Sequence, residues 1–117
     1  DDQIGAPTGA DLLADITAHC VRAVQVDPAL AGTYHAVAGG QTSWHGYARF
    51  VIDTARALQP ALALKVAQID PVPTSAYPTP ARRPLNSRLD TGRLRKTFGL
   101  QLPHWQAGVR RMLAEVL

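Results

Sequence analysis

A single cysteine, Cys20, leaves no partner for an intrachain disulfide and no ligand set for a multi-cysteine zinc or iron–sulfur site. That usage suits a reducing compartment, and the cytoplasm is the expected location. No uninterrupted apolar run reaches the length that spans a bilayer, so no membrane association is expected. The chain opens on Asp1-Asp2-Gln3, with neither an initiator methionine nor a basic segment leading into an apolar stretch; no signal peptide is expected, and the start reads as a cut. No Gly-x-Gly-x-x-Gly precedes a helix, which excludes a dinucleotide pyrophosphate site, and Gly-x-Ser-x-Gly is absent. None of Tyr34, Tyr47 and Tyr77 is followed four residues later by lysine, as a Tyr-Lys proton-transfer pair on a helix requires. His19, His35, His45 and His104 fall in separate segments without metal-ligand spacing. The chain alone is therefore expected to be inert, with no catalytic and no cofactor-binding residue of its own.

What is present is a balanced composition: 117 residues, 46% hydrophobic, 18% charged, mean hydropathy −0.07. This bounds the chain to one globular domain. Charge is unevenly placed. Residues 1–80 carry four bases against seven acids, residues 81–117 eight bases against two acids, so the net charge of +3 belongs to the last third. A focused positive region attracts phosphate-bearing partners in a way that a spread-out +3 does not.

Thr8 followed by Asp11 predicts the start of a helix over about 9–25, with Leu12, Leu13, Ile16, Cys20, Ala23 and Val24 on its apolar side and Asp27-Pro28 as its stop. Thr33 to Ala38 reads as a short strand between Gly32 and Gly39-Gly40. Thr42 or Ser43 can cap a second helix to about Leu58, striped by Trp44, Tyr47, Val51, Ala55 and Leu58 and expected to face the core. Leu64 to Ile69 is a second strand candidate. Five prolines between Pro71 and Pro84 forbid helix or central strand and define an ordered loop or a linker. Thr91 can cap a short helix over Gly92–Phe98, and Pro103 at a first-turn position opens a last helix with Trp105, Val109, Met112, Leu113 and Val116 on one face. The sum is an α+β unit of about three apolar-faced helices and one or two short strands.

The densest chemistry lies in Arg82-Arg83-Pro84-Leu85-Asn86-Ser87-Arg88. Guanidinium forks match phosphate oxygens, Asn86 and Ser87 add neutral donors, and the preceding prolines reduce the entropy lost on ordering the loop, a combination suited to a nucleotide diphosphate. From composition alone a solvated loop paired with the acids of the first part is the commoner outcome for such a charge run, and a polyanion-binding patch is a third reading. Nucleic acid is disfavoured, because Trp44, Tyr47, Phe98 and Trp105 fall on or beside helical stripes rather than among the arginines. Asp11 and Asp15 lie at i, i+4 on one helix face, where they are solvated or help to hold a divalent ion.

The stretches DDQIGAPTGADLLAD (1–15), GTYHAVAGGQTSWHGYA (32–48), VPTSAYPTPARRPLNSRLDT (72–91) and LPHWQAGVRRMLAE (102–115) resemble, in collinear order, the C-terminal part of the dTDP-4-dehydrorhamnose reductase family of the extended short-chain dehydrogenase/reductase superfamily. The resemblance implies reduction of dTDP-4-dehydro-L-rhamnose to dTDP-L-rhamnose with NADPH or NADH. It implies that residues 1–117 are the C-terminal substrate-binding domain, and that the N-terminal Rossmann domain, which binds the cofactor and carries the catalytic set, is absent from this chain. Gly5, Pro7 and Thr8 match the family's interlobe loop, and Arg83, Pro84, Asn86, Ser87 and Arg88 match its Arg-Pro-x-Asn-Ser-Arg motif. Pro7, Thr8, Arg83, Asn86, Ser87 and Arg88 are thus the cleft candidates, with Arg83 or Arg88 nearest the diphosphate. Some relatives dimerise through Mg²⁺ held by acids; Asp11 and Glu115 are the matching candidates, and Asp11 stands where the longer Glu is usual. The implied partners are a dTDP-sugar, the chain's own Rossmann domain and a second copy in a homodimer. The alternative is a non-catalytic regulatory or polyanion-binding module of the same fold.

Overall fold

Four helices form at the four places expected, three of them long and apolar-faced and one short, and the computed structural model describes all of residues 1–117. Helix α1 spans Ala10–Val26 and buries Ile16. Its stop is local: the Asp27 carboxylate accepts from the Ala29 amide at 3.0 Å and opens a 3₁₀ turn over Pro28–Leu30. Helix α2 spans Trp44–Leu58, and the Ser43 hydroxyl caps it by accepting from the Gly46 amide at 3.0 Å. Helix α3, Gly92–Phe98, buries Leu94 and Phe98 and ends at Gly99, whose left-handed backbone (φ 63°) supplies the turn. Helix α4, Trp105–Val116, buries Trp105, Val109 and Leu113.

Several expectations are corrected by these elements. Thr8 does not cap α1: Gly9 stands at the cap position, while the Thr8 hydroxyl donates to the Ala6 carbonyl at 2.9 Å and accepts from the Ala38 amide at 3.0 Å. Thr91 makes no cap bond either; the Asp90 carboxylate receives the Gly92 amide at 2.7 Å. Pro103 precedes the cap of α4 rather than entering its first turn, and the His104 ring nitrogen is the acceptor there. Trp44 is 67% exposed, and Leu58, Met112 and Val116 are also exposed, so the stripes of α2 and α4 are buried only in part.

Neither strand candidate is a strand. Thr33–Ala38 has no neighbouring segment to give it a ladder. Its side chains are taken up instead, Tyr34 stacking edgewise on Phe98 with ring centroids 5.0 Å apart and Ala38 entering the core. Its end hooks onto the entry to α4 through Gly39 amide to Pro103 carbonyl, 2.8 Å, and Trp105 amide to Gly39 carbonyl, 2.9 Å. Leu64–Ile69 is irregular. The sheet comes from elsewhere: β1 (Ile4–Gly5) pairs antiparallel with β2 (Thr42–Ser43), Ile4 opposite Ser43 and Gly5 opposite Thr42.

The core has two centres bridged by Leu12. One joins Ala38, Trp105, Val109 and Leu113 to the inner face of α2; the other joins Ile16, Leu94 and Phe98 to Cys20 and its neighbours on α1. Burial pushes the Cys20 thiol up. The proline-rich segment is an ordered loop. Its 3₁₀ turn, Thr74–Ala76, is tied to the start of the chain because the Asp2 carboxylate accepts from both the hydroxyl and the amide of Thr74, and Gln3 Nε2 donates to the same hydroxyl at 3.0 Å.

Candidate functional site

The β1–β2 pairing brings three distant segments together. Ile4 donates its amide to Leu85 at 2.8 Å, its carbonyl receives the Ser87 amide at 2.9 Å and the Ser87 hydroxyl at 3.1 Å, and β2 runs directly into α2. Between these segments and α4 lies a cleft of about 830 Å³. Loops supply its polar lining: Gln3, Thr8, Thr79, Arg83 and Ser87. Helices α2 and α4 supply the apolar lining: Trp44, Tyr47, Trp105, Val109 and Met112.

Of the sequence candidates, Pro7, Thr8, Arg83 and Ser87 line this cleft. Asn86 and Arg88 do not. The Asn86 side-chain oxygen accepts from the Arg88 amide (3.1 Å) and Nε (2.8 Å), and Arg88 Nη1 donates to the Gln41 side-chain oxygen at 2.9 Å, so these two residues brace the loop against the segment ahead of β2. Arg83 makes no hydrogen bond or ion pair within the chain and is the only charged side chain on the cleft, whose lining holds no Asp or Glu. A lone guanidinium in a wall without carboxylates favours an anionic ligand, since nothing on the wall competes for it or repels the guest. Arg83 also borders a smaller hollow of about 420 Å³ with Asp2, Thr74 and Arg82.

Sequence reasoning missed Gln3, Thr79, Tyr47, Met112 and, above all, Trp44 as cleft residues. The α2 stripe assigned it to the core, yet it occupies the first helical position, just after the Ser43 cap, where a side chain projects past the helix end rather than onto its packed face. A large aromatic beside a helix cap, rather than the periodicity, is the signal that could have found it.

The metal candidates do not fit a divalent ion. Asp11 and Glu115 are brought near one another, but the Arg111 guanidinium pairs with Asp11 and lies 3.6 Å from Glu115, so a cation already occupies the space between the carboxylates. No group of three or more His, Cys, Asp or Glu side chains exists to complete a hard-cation shell. No helix is long and apolar enough to cross a membrane.

Comparison with known proteins supplies the context for this cleft. The chain is 56% identical to a dTDP-4-dehydrorhamnose reductase of Shigella flexneri over 116 residues, 55% to that of Escherichia coli and 54% to that of Salmonella typhimurium. Each match covers 99% of this chain and 38% of the relative, so the chain spans well under half the length of these curated relatives. The model of the RmlD substrate binding domain family matches residues 1–117 from end to end. With an α+β fold, an acid-free cleft beneath the arginine loop and that full-length match, the chain belongs to the RmlD substrate binding domain family.

Proposed function

We propose that this chain is the substrate lobe of a dTDP-4-dehydrorhamnose reductase, converting dTDP-4-dehydro-L-rhamnose to dTDP-L-rhamnose in the cytoplasm together with an N-terminal Rossmann lobe that binds NADPH or NADH. The nicotinamide, when bound to that lobe, supplies the hydride. The residues of this chain bind and orient the sugar nucleotide and keep water from the closed cleft. Arg83 meets the diphosphate, Ser87 and Thr8 add neutral donors along the polar lining, and Pro7 shapes the loop between lobes. Asn86 and Arg88 hold the loop in position rather than touching the ligand.

The observation that carries this reading is the cleft with one unpaired cation and no acid. Its test is calorimetric titration of the full-length protein with dTDP. Arg83→Ala is expected to weaken binding by about 1.5–3 kcal/mol, the cost of a lost charge-assisted bond, without lowering the melting temperature. Unchanged affinity would remove Arg83 from the site. Binding that collapses between low and physiological salt, with no preference for dTDP over other polyanions, would identify a polyanion-binding module instead.

A further inference from the structure

We propose that Trp44 is the platform on which the nucleobase of the bound sugar nucleotide stacks; the proposal rests on the sugar-nucleotide reading of the cleft. Four aromatic rings run in series from the core to the cleft. Phe50 packs on Trp105 at 5.0 Å, Trp105 lies 6.1 Å from Tyr47, and Tyr47 lies 5.9 Å from Trp44 at 86°. Trp105 at the inner part is 5% exposed, whereas Trp44 at the outer end is 67% exposed and its indole N–H has no partner in the chain. The backbone beneath the exposed ring is fixed: β2 pairs with β1 and Ser43 caps α2 immediately before it. A rigid, uncovered indole is a stacking surface ready-made, because little entropy is lost when a second ring settles on it.

The cleft's two linings match a nucleoside diphosphate in its parts. The loop lining offers a guanidinium and hydroxyls, suited to phosphate oxygens; the helical lining offers Trp44, Tyr47 and Met112, suited to a flat ring. A hexose, ringed by hydroxyls, would find the polar partners it needs at the loop lining instead.

The test is a thermodynamic cycle on the full-length protein, using dTDP and 2-deoxyribose 5-diphosphate, which lacks the base. The wild type is expected to prefer dTDP by about tenfold or more. Trp44→Ala is expected to erase that preference while binding the base-free diphosphate as before, and Trp44→Phe to retain most of it. In the wild type, dTDP is expected to quench tryptophan emission and the base-free diphosphate to leave it unchanged, a readout that needs no variant to fold. A preference that survives Trp44→Ala, equal weakening of both ligands, or quenching by both overturns the platform while leaving the cleft reading intact. A wild type that binds neither ligand overturns the cleft reading and the platform with it.

Discussion

Arg83 and Arg88 sit five residues apart in the same motif, and the fold gives them opposite work. Arg88 has its Nε and one Nη engaged by Asn86 and Gln41, whereas Arg83 lines the cleft with no partner in the chain. Arg88→Ala is therefore expected to lower stability by about 1 kcal/mol in thermal unfolding while dTDP affinity stays within about twofold; an affinity loss equal to that of Arg83→Ala would mean that Arg88 also reaches the ligand. Asp2 is a second residue whose partners decide its behaviour. The hydroxyl of Thr74, with help from its amide, holds the carboxyl below its ordinary value of 3.8. A carboxyl lowered in the folded state stabilises the fold above that ordinary value and gives the stabilisation up as pH falls through the lowered one. The protection factor of the Thr74 amide, its exchange measured against the intrinsic rate at each pH, is accordingly expected to fall as the solution is acidified below pH 3.8, and Asp2→Asn to remove that dependence. Identical acid profiles for the two proteins would contradict the assignment. The arginine motif was legible in the sequence as a phosphate-seeking segment. Which arginine remains unpaired was not, because that depends on where Gln41, forty-seven positions away from Arg88, comes to rest.

The helices were readable because apolar spacing and nearby stops agree: Asp27-Pro28 ends α1, and α2 ends at Leu58 as expected. The strands were not. Two-residue strands carry no alternation to detect, and Thr33–Ala38 has the composition of a strand without a neighbour to pair with. Element ends also give the sharpest stability predictions. Gly99 has φ 63° with open space where a Cβ would go, so Gly99→Ala is expected to cost about 1 kcal/mol from backbone conformation alone. Gly40 has φ 79° and the His104 ring occupies the place of its missing Cβ, so Gly40→Ala is expected to cost clearly more. Denaturant midpoints measure both, and equal losses would show that the His104 ring turns aside freely.

As a whole molecule the chain is a broad slab, 53 × 35 × 21 Å, with a radius of gyration of 17.3 Å where a self-contained domain of this length would have about 13 Å. Only eight residues are buried, all apolar, while Leu85, Leu89 and Tyr77 of the loop region stand exposed. Prepared by itself, the 117-residue chain is expected to bind a hydrophobic dye and to unfold with a shallow denaturant slope, because so little of its apolar surface is buried. Steep unfolding without dye binding would contradict this. Ile4 adds a mechanical corollary. Its backbone clasps Leu85 and Ser87 on one flank and faces Ser43 on the other, so the arginine loop, the chain's first loop and the root of α2 share one rivet. One residue inserted just ahead of Gly5 would throw both flanks out of alignment together.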